Sequence, residues 1–195
     1  MSGSLIALIA AGFIFFWAVG AYNRLVRLRA AVLRAFAALD NLLAVQPALI
    51  QASAPAEMDL PGGDAGAVPT ADWSALTTAA DQFGQALAAA RAEPLHAQTM
   101  EALSAAQIAL QRCWRGEGDE GVARHAVPAA VSARLQRQAE QAIGAAQLHD
   151  AAVQAYNRAI AEFPALLLAQ LFRFSPAVAF LPVGLAVNTR LEAPI

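Results

Sequence analysis

From residue 131 to residue 163 the chain repeats one spacing. Val131, Leu135, Ala139, Ala142, Ala146, His149, Val153, Tyr156, Ile160 and Phe163 follow one another in alternating steps of four and three, apart from one repeated four at the start. A period near 3.5 held that long commits the segment to an α-helix, from about Pro128 to Phe163, with a continuous seam along one side. A single helix cannot bury its own seam, so the rest of the chain must supply partner helices.

Three further segments have the right pattern. Leu25, Leu28, Val32, Phe36, Leu39 and Leu43 form one stripe, with Arg24, Arg27, Arg34 and Asn41 mostly off it. Pro47 is expected to kink or end that helix, because it removes a backbone donor and crowds the preceding turn. Residues 53–70, rich in proline, glycine and acids and without a period, read as a surface loop. Thr70 or Asp72 would cap the next helix, whose stripe is Trp73, Leu76, Ala80, Phe83 and Leu87 and whose end is Glu93-Pro94. Pro94 would open a third, with a seam of Leu103, Ala106, Leu110 and Cys113 or Trp114, broken by RGEGDEG at 115–121. Hydrophobic residues make up 58% of the 195 positions, and alanine, the best helix former, supplies much of that. Sparse β-branched and aromatic residues argue against a sheet. The fold class expected is all-α, an antiparallel four-helix bundle.

The N-terminus adds a different constraint. Leu5 to Tyr22 is an apolar or small run of 18 residues with no charge. As a helix it would measure roughly 27 Å, enough to cross a hydrocarbon core. Trp17 and Tyr22 lie where an interfacial aromatic belt would sit, and Arg24, Arg27, Arg29 and Arg34 follow at once. The positive-inside rule keeps such a flank in the cytoplasm, with the short N-terminal end outside. The competing reading is a cleaved signal peptide: a basic leader is missing, yet Ala18-Val19-Gly20 has the small residues of a cleavage site. A buried core helix is the third reading, and a domain this small has no place for one apolar all round. The division expected is an anchor over 1–22, the bundle over 23–164, and an apolar, membrane-proximal tail over 165–195. That tail would lie in the bilayer interface or fold back on the base of the bundle.

The tetrapeptide AYNR occurs at 21–24 and again at 155–158. An up-down-up-down bundle brings both copies to its membrane-proximal end, where tyrosine offers an apolar ring with a polar tip and asparagine both donor and acceptor. Tyr22, Asn23, Tyr156, Asn157, Phe163 and Pro164 are therefore the expected structural motif of the base, the two AYNR copies acting as matching clasps. Trp17, Arg24, Arg27 and Arg29 are the expected membrane-interface residues.

Little else points to chemistry. His96, His125 and His149 are too scattered for a metal motif. His149 falls on the helical seam beside Asp150, but neighbours in sequence do not face each other on a helix; a buried, hydrogen-bonded core histidine is the simpler account. Glu117, Asp119 and Glu120 lack the order of a calcium loop and read as a solvated turn. Arg134, Arg137, Glu140 and Gln141 make a polar outer face. Cys113 is the only cysteine, so no intramolecular disulfide is possible; it reads as a small buried hydrophobe. A net charge of −2 gives no footprint of nucleic-acid binding. Phosphate loops, nucleophile elbows and paired catalytic carboxylates are absent.

Several stretches resemble the LemA family of small, membrane-anchored bacterial helical proteins. The matching segments are YNRLVRLR (22–29), LDNLLAVQPALIQ (39–51), EQAIGAAQLHDAAVQAYNRAIAEFPALLLA (140–169) and FSPAVAF (174–180). The chain departs from the family pattern at Gln147, at His149-Asp150 in place of an earlier Tyr-Asn pair, at Ile50-Gln51, and in having no arginine near 44–46. The resemblance, to a divergent member, implies an antiparallel four-helix bundle behind one span and no catalytic activity to carry over. The expectation is thus a single-pass inner-membrane scaffold or adaptor with no cofactor and no metal. Its partners would be the lipid bilayer, a protein not specified by the sequence and, as a further candidate, a second copy of the chain. The alternative is an exported periplasmic bundle that binds an envelope partner.

Overall fold

The stripe from Leu25 to Leu43 belongs to a helix that starts far upstream: α1 runs unbroken from Ser2 to Leu43, 42 residues, through the arginines. The computed structural model describes residues 2–53, 71–115, 129–163 and 165–180; the side chains of residues 2–7, 10, 11, 14, 71, 72, 115 and 129 lie outside that description. After α1 come α2 (Val45–Ser53), α3 (Ala71–Ala92), α4 (Ala97–Arg115), α5 (Ala129–Ala161) and α6 (Ala165–Leu171), with no strand among the described residues. The fold is an all-α helical bundle.

Pro47 acts upstream of its own position. The chain breaks at Ala44, one residue after Leu43, whose carbonyl the missing Pro47 N–H would have used. Asp40 still accepts from the Ala44 N–H at 2.9 Å, so the break is a kink and helix resumes to Ser53. Most of the expected loop, residues 54–70, lies outside the described residues. Pro94 does not open α4. It sits in a turn where the Glu93 carbonyl accepts from the His96 N–H and the Thr99 hydroxyl, and α4 begins at Ala97.

The short turn makes α3 and α4 an antiparallel pair, and contacts set the other directions. Trp17 meets Phe163, Arg24 meets Glu162, and Phe36 meets His149, so α1 and α5 run antiparallel. Arg91 binds Asp40 and Gln51 binds Asp81, so the α1–α2 rod runs antiparallel to α3. The main core gathers Phe36, Leu39, Leu43, Ile50, Phe83, Leu87, Leu103, Leu110 and Leu135 between the four rods. A smaller cluster of Leu25, Val32, Val153, Tyr156 and Ile160 lies toward the start of α1.

Several seam positions depart from the pattern. On α4 the buried stripe is Met100, Leu103, Gln107, Leu110 and Trp114, with Gln107 taking the place expected for Ala106, which is only partly buried. Cys113 is exposed and so is not a core residue. α5 stops at Ala161, so Phe163 lies off the stripe and is 73% exposed. Arg134, Arg137, Glu140 and Gln141 face outward. Glu117, Asp119, Glu120, His125 and Pro164 lie outside the described residues, as do Thr70 and the side chain of Asp72. Among the described residues no helix is long and apolar enough to cross a membrane. The structure therefore does not show the span expected over 5–22.

Candidate functional site

At the base of the bundle, the last described stretch of chain is tied back onto α5. α6 ends where Phe174 N–H reaches back five residues to the Ala169 carbonyl at 2.9 Å, with Arg173 at φ 53°. This is a Schellman-type ending whose left-handed position, usually glycine, holds an arginine. The turn reverses the chain. Residues 174–180 then run without helical bonds, and Pro176, which has no N–H, suits an extended path.

Tyr156 and Asn157 hold that path. The Tyr156 hydroxyl donates to the Ser175 carbonyl at 3.0 Å while its ring is buried in the smaller cluster. Asn157 grips one residue twice: its Nδ2 donates to the Ala177 carbonyl at 2.8 Å, and its Oδ1 accepts from the Ala177 N–H at 2.9 Å. A side-chain amide here replaces the neighbouring strand that residues 174–180 lack, satisfying both backbone groups of Ala177. Beyond the grip, Ala177 and Phe180 are buried, and Phe180 belongs to the main core. Burial raises the Tyr156 pKa, and the Arg29 guanidinium partly offsets that.

Tyr22 serves the same segment from the other side. Its ring lies 5.1 Å from that of Phe172 and 6.2 Å from that of Phe174, and the Arg29 guanidinium stands 6.0 Å over the Phe174 ring. With Trp17 against Phe163 and Arg24 against Glu162, Tyr22 stands about seven residues along from the level of Tyr156, roughly 10 Å. The two tyrosines meet the returning segment at different heights rather than clasping each other. Asn23, Arg24, Arg27 and Arg29 are exposed; Arg24 and Glu162 pair at 3.2 Å with more than half of each side chain in solvent, a contact of small energetic weight.

A second set of polar groups lies inside the bundle. His149 is fully buried, its ring edge-on to Phe36 at 5.9 Å, yet neither ring nitrogen has a partner among the described residues. Burial lowers its pKa below the ordinary 6.5, with the Asp150 carboxylate acting the other way. The expected hydrogen-bonded core histidine is buried but unbonded. Gln107 donates to the Gln46 carbonyl oxygen at 3.0 Å, joining α4 to α2; Gln46 Nε2, Gln107 Oε1 and Gln111 Oε1 lack further partners among the described residues. The 3-4 spacing of α4 carries the signal for Gln107, since 100, 103, 107, 110 and 114 form one unbroken stripe.

Among the described residues no three histidine, cysteine or acidic side chains gather to hold a metal ion. The base supplies backbone clamps, aromatic contacts and arginines. Comparison with protein-family models, with curated proteins and with solved structures finds no match.

Proposed function

We propose that the chain is a single-pass membrane protein of LemA type whose helical bundle is a non-catalytic scaffold or adaptor on the cytoplasmic face of the bacterial inner membrane. One observation carries the reading. The apolar start of α1 is continuous with a bundle helix, yet among the described residues nothing covers three of its phenylalanines: Phe13 is 75% exposed, Phe15 65% and Phe16 77%. Exposed apolar surface of that extent marks a contact with membrane or protein. Lipid fits this one, because the uncharged run continues back to Leu5 in the sequence and Arg24, Arg27 and Arg29 stand immediately after it. α1 is also helical through Ala18-Val19-Gly20, which favours an uncleaved anchor over a signal peptide.

Carbonate extraction and C-terminal reporters test both halves. The full chain is expected to stay with the membrane pellet, and a reporter after Ile195 to be active only in the cytoplasm. A carbonate-soluble protein whose mature N-terminus begins near Ala21, with a reporter active in the periplasm, would establish the exported bundle instead.

A further inference from the structure

α6 wears its hydrophobicity inside out. Ala165 and Ala169, one turn apart, are the residues it buries against the bundle. Of its leucines only Leu168 packs partly against the smaller cluster; Leu166 is 40% exposed, Leu167 57% and Leu171 73%, and the flanking Phe163 and Phe172 are 73% and 54%. A helix docked on a soluble bundle does the reverse, since burying a leucine rather than leaving it in water is worth about 1.5–3 kcal/mol.

The placement of this segment says what covers it. One end touches α1 through Trp17–Phe163 at 5.8 Å and the other through Tyr22–Phe172 at 5.1 Å. Trp17 and Tyr22 are five residues apart, so the two ends of the segment, Phe163 and Phe172, meet α1 at levels about 7.5 Å apart. An interfacial helix buries its apolar face about 5–10 Å into the headgroup boundary. Those levels sit where the uncharged run of α1 gives way to Arg24, Arg27 and Arg29, and Arg173 closes α6 on the same side of the fold. The only acid in direct contact with these cations among the described residues is Glu162, on Arg24. Apolar side chains bordered by arginines, of which only Arg24 has an acidic partner among the described residues, match an anionic bilayer surface.

We propose that Phe163 and residues 165–172 form a lipid-embedded collar against α1, with Phe163, Leu166, Leu167, Leu171 and Phe172 in the interface and the arginines at the phosphates. The collar rests on the reading of α1 as an anchor and adds a second, independent grip on the bilayer that fixes the height of the bundle above it.

The test uses the full chain with Cys113→Ser, spin-labelled through Leu167→Cys, Phe13→Cys or Glu101→Cys. Each is placed in vesicles of mixed phosphatidylcholine and phosphatidylglycerol, and relaxation by oxygen is compared with relaxation by a nickel chelate. Leu167 and Phe13 are exposed, so these labels leave the core alone. The expected result is an oxygen-favoured signal at 167 as at 13, with loss of most of the nickel effect seen at 101. Nickel access at 167 with a shielded 13 overturns the collar and leaves the anchor standing. Shielding of 167 from both reagents means protein covers it, and overturns the collar too. Access at both 13 and 167 removes anchor and collar together, and an accessible 13 overturns both whatever 167 shows, because the collar rests on the anchor.

Discussion

Asn157→Ala is the most informative single change at the base of the bundle. Asn157 makes two hydrogen bonds of 2.8 and 2.9 Å to Ala177, whose side chain is 4% exposed. Each bond is worth about 1 kcal/mol net, and a buried backbone group left without a partner costs about 1–3 kcal/mol. Both bonds are only partly buried, so water can reach part of what is lost, and about 2 kcal/mol is a reasonable sum. The loss falls on the attachment of residues 174–180 rather than on the four rods, because that segment gives the main core only Phe180 and the partly buried Val178. Trypsin reads it directly: Arg173 is exposed, and the bond to Phe174 becomes a substrate only when the segment lifts. Where opening is fast relative to cleavage, the rate follows the open population, so about 2 kcal/mol speeds cleavage about 30-fold. The rate after Arg173 is measured in native buffer for wild type and variant, with cleavage at other arginines as the control for global unfolding. An unchanged rate after Arg173 refutes the clamp. A rise at every arginine alike shows that Asn157 supports the whole bundle and not this segment.

His149→Leu removes two unpartnered nitrogens from the core and is expected to be neutral or stabilising at pH 7.5. Since burial lowers the folded-state pKa of His149 below 6.5, the stability tied to its neutral form is complete above about pH 6.5. It declines as pH falls from there through the folded pKa, so melting temperatures at pH 7.5 and pH 5 should converge in the variant relative to wild type. Gln107→Leu alone strands Gln46 and should cost about 1–3 kcal/mol, while adding Gln46→Leu should recover most of it; urea denaturation of both variants gives the coupling. In a Cys113→Ser background, a short bifunctional reagent should join cysteines at 22 and 172 far more readily than cysteines at 22 and 156, as read on a gel.

Much of the bundle was legible because burial there follows one variable, the helical period. Leu25, Val32, Phe36, Leu39 and Leu43 on α1, and Leu76, Ala80, Phe83 and Leu87 on α3, occupy the positions their spacing demands. Period alone cannot say which polar residue a neighbouring helix will tolerate, so Gln107 went unread on a stripe that otherwise announces it. Nor can it say whether a buried histidine finds a partner, since that depends on what stands opposite; His149 meets the ring of Phe36.

The base of the molecule divides the same way. An uncharged run followed by arginines, and a tyrosine–asparagine pair near a helix end, are local facts that the chain carries in its order of residues. What Tyr156 and Asn157 hold depends on a reversal at Arg173 that returns Ser175 and Ala177 to them, 19 and 20 residues later. Sequence fixes which faces must be hidden, because period and side-chain chemistry act within a few turns of a helix. Only the tertiary structure decides what hides them, because contacts between distant segments depend on how the chain turns back on itself.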